Sequence, residues 1–166
     1  MAKSIGASPV IATASTQEKL DLAKNLGADV LINYTEEDWP EKVREATNGN
    51  GADVILEMVG GDFPQKNLSC LNVFGRMVVF GAASGDRGSL VPAELMKKNH
   101  SVVGFYLPNI MVRRDLFVPS LEKVLTWISS GELKLTIDAR YPLAQASEAH
   151  DALEGRKTTG KIILNS

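Results

Sequence analysis

Ser15, Thr16 and Lys19 carry the first chemistry that can be read from this chain. They follow a short apolar run, Val10 to Ala14, and Ser15-x-x-Glu18 has the spacing of a capping box at a helix start. Two hydroxyls, an ammonium and the N–H groups of a first helical turn make a seat suited to a phosphate. No carboxylate stands at the strand tip, where it would instead accept from a ribose hydroxyl. An ordinary capped helix with a solvated lysine explains the same residues, and pattern alone leaves both readings open.

A second constellation is Gly60-Gly61 and Gly81-Ala82-Ala83-Ser84-Gly85. Each follows a strand-like run, ADVILEMV and GRMVVF. Ligands of open parallel sheets bind at the carboxyl ends of the strands, and glycine lets backbone approach them closely. Two such ends side by side predict a floor for a flat ring; two tight strand–helix turns are the alternative. Other reactive residues read as structural. Glu36, Glu37 and Asp38 match a helix dipole, His100 and His150 read as surface or structural, and Cys70 reads as packing. No catalytic residue and no metal ligand set emerges.

These groups need a parallel α/β framework to hold them. Val10 to Ala14 is a strand; Leu22, Ala23 and Leu26 share a helical face; Gly27 is a left-handed cap; Val30 to Ile32 is a second strand. Trp39, Val43 and Ala46 mark a surface helix with Pro40 in its first turn. Strands follow at 52–59, 75–80 and 101–106, the last apolar and at the sheet edge, with a helix at 92–98 before it. Phe117, Leu121, Val124, Leu125 and Ile128 form a helical stripe that starts or bends at Pro119. From Lys134 the character changes: short extended pieces at 135–137 and 139–141, a helix over 143–153 with Ala146, Ala149 and Leu153 inward, and a strand over 161–164. At the other end, Met1 to Gly6 looks like the close of a helix.

The 166 residues suffice for a packed core, and 44% hydrophobic with 23% charged residues is ordinary for a globular chain. A net charge of -2 offers no case for nucleic acid or a membrane surface. No signal peptide or membrane-length apolar run is expected. A single cysteine excludes an internal disulfide and a cysteine-rich zinc site, and suggests a reducing compartment, the cytoplasm.

VIATASTQEKLDLAKNLGADVLINY, GADVILEMVGG, GRMVVFGAASG and the ending YPLAQASEAHDALEGRKTTGKIILNS, in this order, resemble the quinone oxidoreductase (zeta-crystallin) branch of the medium-chain dehydrogenase/reductase superfamily. The resemblance implies a Rossmann-like doubly wound parallel sheet over 1–134. This sheet would be incomplete, lacking its first strand and glycine-rich turn. Residues 135–166 would be a tail belonging to a GroES-like catalytic domain. It implies zinc-independent hydride transfer from NADPH to a quinone or conjugated enone. Ser15, Lys19 and Tyr34 would hold the 2′-phosphate and flank the adenine. Val59 and Gly60 would lie near the ribose and nicotinamide, with Phe80, Gly81 and Ser84 along the nicotinamide, and Phe105 near its carboxamide. A homodimer through the 101–106 edge strand is expected. A non-catalytic oligomerisation module and an enoyl-reductase part of a larger synthase are the rival readings.

Overall fold

The computed structural model describes residues 1–166. The chain divides into two compact units, one of Ala2–Arg113 and one of Arg114–Ser166 with Met1.

In the first unit, β1 (Ile11–Ala14) and β2 (Val30–Asn33) pair in parallel, Ile11 opposite Val30 and Ala14 opposite Asn33. The helix α1 (Gln17–Asn25) connects them. A second parallel sheet has the order β3 (Ala52–Glu57), β4 (Leu71–Val79), β5 (Ser101–Gly104). The helix α2 (Trp39–Ala46) leads from the first sheet to the second; α3 (Phe63–Cys70) joins β3 to β4; α4 (Pro92–Met96) precedes β5. β1 pairs only with β2, and β3 only with β4 on that side, so the doubly wound arrangement is in two pieces. β5 is an edge strand, as its sequence suggests.

One apolar cluster spans both sheets. Ile32, Trp39, Val43 and Cys70 are buried in it, with Ile11 and Val30 from one sheet and Ala52 and Ile55 from the other packed around them. A second cluster, Leu68, Leu71 and Met77, fills the space under α3 and α4. The other face of β3 is bare: Val54 and Leu56 are 58% and 68% exposed.

Several boundaries differ from the expectation. The N-cap of α1 is Thr16, not Ser15, because the Thr16 hydroxyl accepts the Lys19 N–H. Leu20 is the buried residue of that helix, whereas Leu26 falls at its C-cap and stays 51% exposed. β3 stops at Glu57, short of Val59, where the chain turns at Gly60 and Gly61 with positive φ. β4 starts four residues early, at Leu71. Ala52 pairs with Leu71 but Val54 pairs with Arg76, and the surplus residues bulge out at Phe74, whose φ is +61°. α4 closes at Met96, before Lys98, and β5 at Gly104, where a short helix, α5 (Leu107–Met111), takes over.

The second unit contains α6 (Arg114–Ser129), which begins ahead of Pro119 and keeps that proline inside it. Leu121 and Leu125 of its stripe stay exposed. β6 (Ile137–Pro142) replaces the two separate extended pieces, and pairs in parallel with β7 (Lys161–Asn165) as a sheet of its own. The helix between them opens with a 3₁₀ turn, Leu143–Gln145, before α7 (Ala146–Glu154). Ala149 is buried, but Leu153 is 55% exposed.

Met77 is completely buried and Leu56 is not. Met77→Ala should therefore cost about 2–5 kcal/mol in urea unfolding, and Leu56→Ala within about 0.5 kcal/mol.

Candidate functional site

Because each sheet is parallel, the residues after its strands share one rim. After β1 come Ser15, half-buried, and the α1 N-terminus with Thr16 and Lys19. After β2 comes Tyr34, whose N–H donates to the Ala14 carbonyl at 3.1 Å. Its ring meets Phe63, the first residue of α3, edge-on at 5.2 Å, and Phe63 stacks on buried Trp39 at 5.9 Å. This aromatic row ties the β2 end to the turn after β3.

The ends of β3 and β4 are interlocked. Phe80 N–H donates to Glu57 O at 2.9 Å, Ala83 N–H to Met58 O at 2.8 Å and Ser84 N–H to Val59 O at 2.9 Å. In return Gly61 N–H donates to Asp86 O at 2.9 Å. The Ser84 hydroxyl bonds to both the Asp86 carbonyl and its N–H at 3.2 Å, and Asp86 Oδ1 accepts from Gly88 N–H at 2.8 Å. Gly60 has φ +80°, and a Cβ there would lie 2.0 Å from Asp86 O; one on Gly81 would lie 3.2 Å from Met58 O. The approach of the two strand ends therefore depends on those glycines. On the far side of β4, Phe105 N–H donates to Val79 O at 2.8 Å, and the Phe80 and Phe105 rings are exposed.

The structure thus gathers Val59, Gly60, Phe80, Gly81, Ser84 and Phe105 on one continuous rim, reached from Tyr34 through Phe63. Ser15 and Lys19 occupy the corresponding end of the other sheet. Four further residues escaped the sequence reading: Glu57, Phe63, Asn67 and Asp86. Glu57 had a signal, since a carboxylate inside the apolar run ADVILEMV must find donors once buried. Asp86 had none, because its part is played by a backbone carbonyl.

The side chains set aside as structural sit accordingly. Both ring nitrogens of His100 are buried without a partner, beside a cavity of about 380 Å³ that also touches Arg44 and Glu94 and shares no residue with the rim. His150 is exposed. Burial pushes the Cys70 thiol from its usual 9.0 up to about 11, so it is a core group and a poor nucleophile. Among the acids before α2, Glu36 and Asp38 pair with Lys42, the second at 3.3 Å. No three His, Cys, Asp or Glu side chains are grouped to hold a metal.

Residues 1–129 match the zinc-binding dehydrogenase family. The chain belongs to that family. Within it, the chain falls in the quinone oxidoreductase branch of the medium-chain superfamily. It is 36% identical over 156 residues to quinone oxidoreductase-like protein 2 homolog of Nematostella vectensis, covering 92% of this chain and 42% of that protein. It is 34% identical over 166 residues to quinone oxidoreductase 1 of Escherichia coli, covering 98% of this chain and 50% of that one. The Escherichia coli quinone oxidoreductase solved in complex with NADPH superimposes with a TM-score of 0.91 at 33% identity, over 99% of this chain and 51% of the other. The chain spans about half the length of the curated relatives it matches.

Gly60→Ala should destabilise the chain by more than about 1 kcal/mol in urea unfolding, through positive φ and the Asp86 carbonyl together. Cys70 should resist thiol labelling at pH 8 until the chain is unfolded. A thiol whose native pKa is raised stabilises the fold below about pH 9 and loses that contribution as pH climbs toward 11, which urea titration over this range will read.

Proposed function

We propose that this chain is the cofactor-binding portion of an NADPH-dependent reductase acting on quinones or conjugated enones. The observation that carries the reading is the interlocked rim of β3 and β4, joined through Phe63 and Tyr34 to the β2 end. This gives a rim with glycines at its turns that leads toward the α1 N-terminus with Lys19.

The residues fit the two ends of such a cofactor differently. At one end, the first turn of α1 with Thr16, Lys19 and Ser15 suits a 2′-phosphate; the strand tip carries no carboxylate, and Glu18 is the one acid of that turn. Tyr34 offers its ring to the adenine. At the other end, Val59, Gly60, Phe80, Gly81, Ser84 and Phe105 form the wall and floor for the nicotinamide and its ribose. Residues 1–166 supply no glycine-rich seat for the pyrophosphate between them.

When bound, NADPH supplies a hydride from its reduced ring to a quinone or to the β-carbon of an enone. The work of the chain is to hold that ring flat against the rim and to keep water from one of its faces. In this reading, residues 1–134 are the dinucleotide-binding portion and 135–166 belong to a catalytic domain. Two copies meet through the 101–106 edge, whose outer side has no strand partner. The reduced, buried Cys70 fits a cytoplasmic setting. No helix is long and apolar enough to cross a membrane.

Lys19→Ala should weaken NADPH about tenfold while leaving NADH nearly unchanged, as calorimetric titration of both cofactors will measure. An equal loss for the two would remove Lys19 from the phosphate role.

A further inference from the structure

Glu57 closes β3, and its carboxylate is only 3% exposed. No cation pairs with it. Its Oε1 accepts from Val59 N–H at 2.6 Å and from Gly60 N–H at 2.8 Å, and its Oε2 accepts from the amide of Asn67, itself 4% exposed. A buried carboxylate demands such donors, and charge-assisted bonds of this kind are among the stronger ones in a protein. Its backbone carbonyl meanwhile accepts from Phe80 N–H. One residue therefore holds the turn after β3, the first residue after β4 and the middle of α3.

The consequence is chemical as well as mechanical. A glycine turn ahead of a helix ordinarily presents free N–H groups to an anion. Here the N–H groups of Val59 and Gly60 are taken by Glu57 and that of Gly61 by Asp86 O, while those of Ala83 and Ser84 point back to Met58 and Val59. No phosphate can be cradled by them. With these N–H groups taken, what the rim exposes is apolar, the Phe80 and Phe105 side chains among it, which suits an uncharged planar ring.

We propose that Glu57 is a positioning residue for the reduced ring: its buried carboxylate shapes the β3–β4 rim and closes that rim to anions. The proposal rests on the cofactor reading above and concerns the nicotinamide end alone.

The test compares the wild-type chain with Glu57→Ala and Glu57→Gln. Binding of NADPH and of adenosine 2′,5′-bisphosphate, which carries only the adenosine end, is measured by calorimetry. Hydrogen exchange is followed at the Val59, Gly60 and Ser84 amides, with those of β1 and β2 as internal reference. Glu57→Ala should bind NADPH about tenfold more weakly and the bisphosphate as before. It should also speed exchange at the rim and not in β1 and β2. Glu57→Gln keeps an oxygen for the two backbone N–H groups, and an inverted Asn67 amide can accept from its nitrogen, so it should restore NADPH binding. Should Glu57→Ala fail to fold, Asn67→Ala removes one donor and carries the same comparison. Equal loss of both ligands without rescue by glutamine would overturn the proposal, as would unchanged NADPH binding with unchanged exchange. A wild-type chain that binds neither ligand overturns the cofactor reading, and the proposal with it.

Discussion

Everything at the rim depends on the need of buried polar groups for partners. Where β3 and β4 end, regular pairing stops, and the N–H and carbonyl groups beyond it must find each other or face water. They find each other across the gap between the strands, in four backbone bonds donated by Phe80, Ala83, Ser84 and Gly61. The Glu57 carboxylate completes the set from inside. Because these bonds are short-range and directional, the two turns cannot adjust separately. The glycines at 60 and 81 follow from that closeness, since side chains there would strike Asp86 and Met58.

The aromatic row extends this order to the neighbouring sheet. Trp39, Phe63 and Tyr34 come from α2, α3 and the end of β2, and their ring contacts replace the strand pairing that the two sheets do not share. Beneath them, Cys70, Val43 and Ile32 form one apolar body. Coherence between the sheets thus rests on side-chain packing on one face. On the opposite face of β3, Val54 and Leu56 are exposed.

Much of the framework was legible from local chemistry. The β1–α1–β2 crossover follows from an apolar run, a cap signal and Gly27, and it forms as a parallel pair with that glycine at φ +101°. The helix at Trp39 follows from spacing and Pro40. The glycine-ended strands do lie side by side. Boundaries were less legible. Ser15 and Thr16 both offer a capping hydroxyl and Glu18 favours Ser15 by spacing, yet the backbone selects Thr16. The bulge at Phe74 is invisible in sequence, because it arises from the fit of β4 against β3, and nothing about Phe predicts positive φ.

By itself the sequence determined the alternation of strand and helix, the positions of flexible turns, the absence of a carboxylate at the tip of β1 and the family to which the chain belongs. These are properties of neighbouring residues: periodicity, capping chemistry and the conformational range of glycine. Only the tertiary structure decided that Glu57 turns inward to hold the Gly60 turn, that Tyr34 meets Phe63, and that the rim N–H groups are already spent. Those outcomes depend on which distant backbone atoms come within reach once the strands pair, and desolvation then makes each bond obligatory.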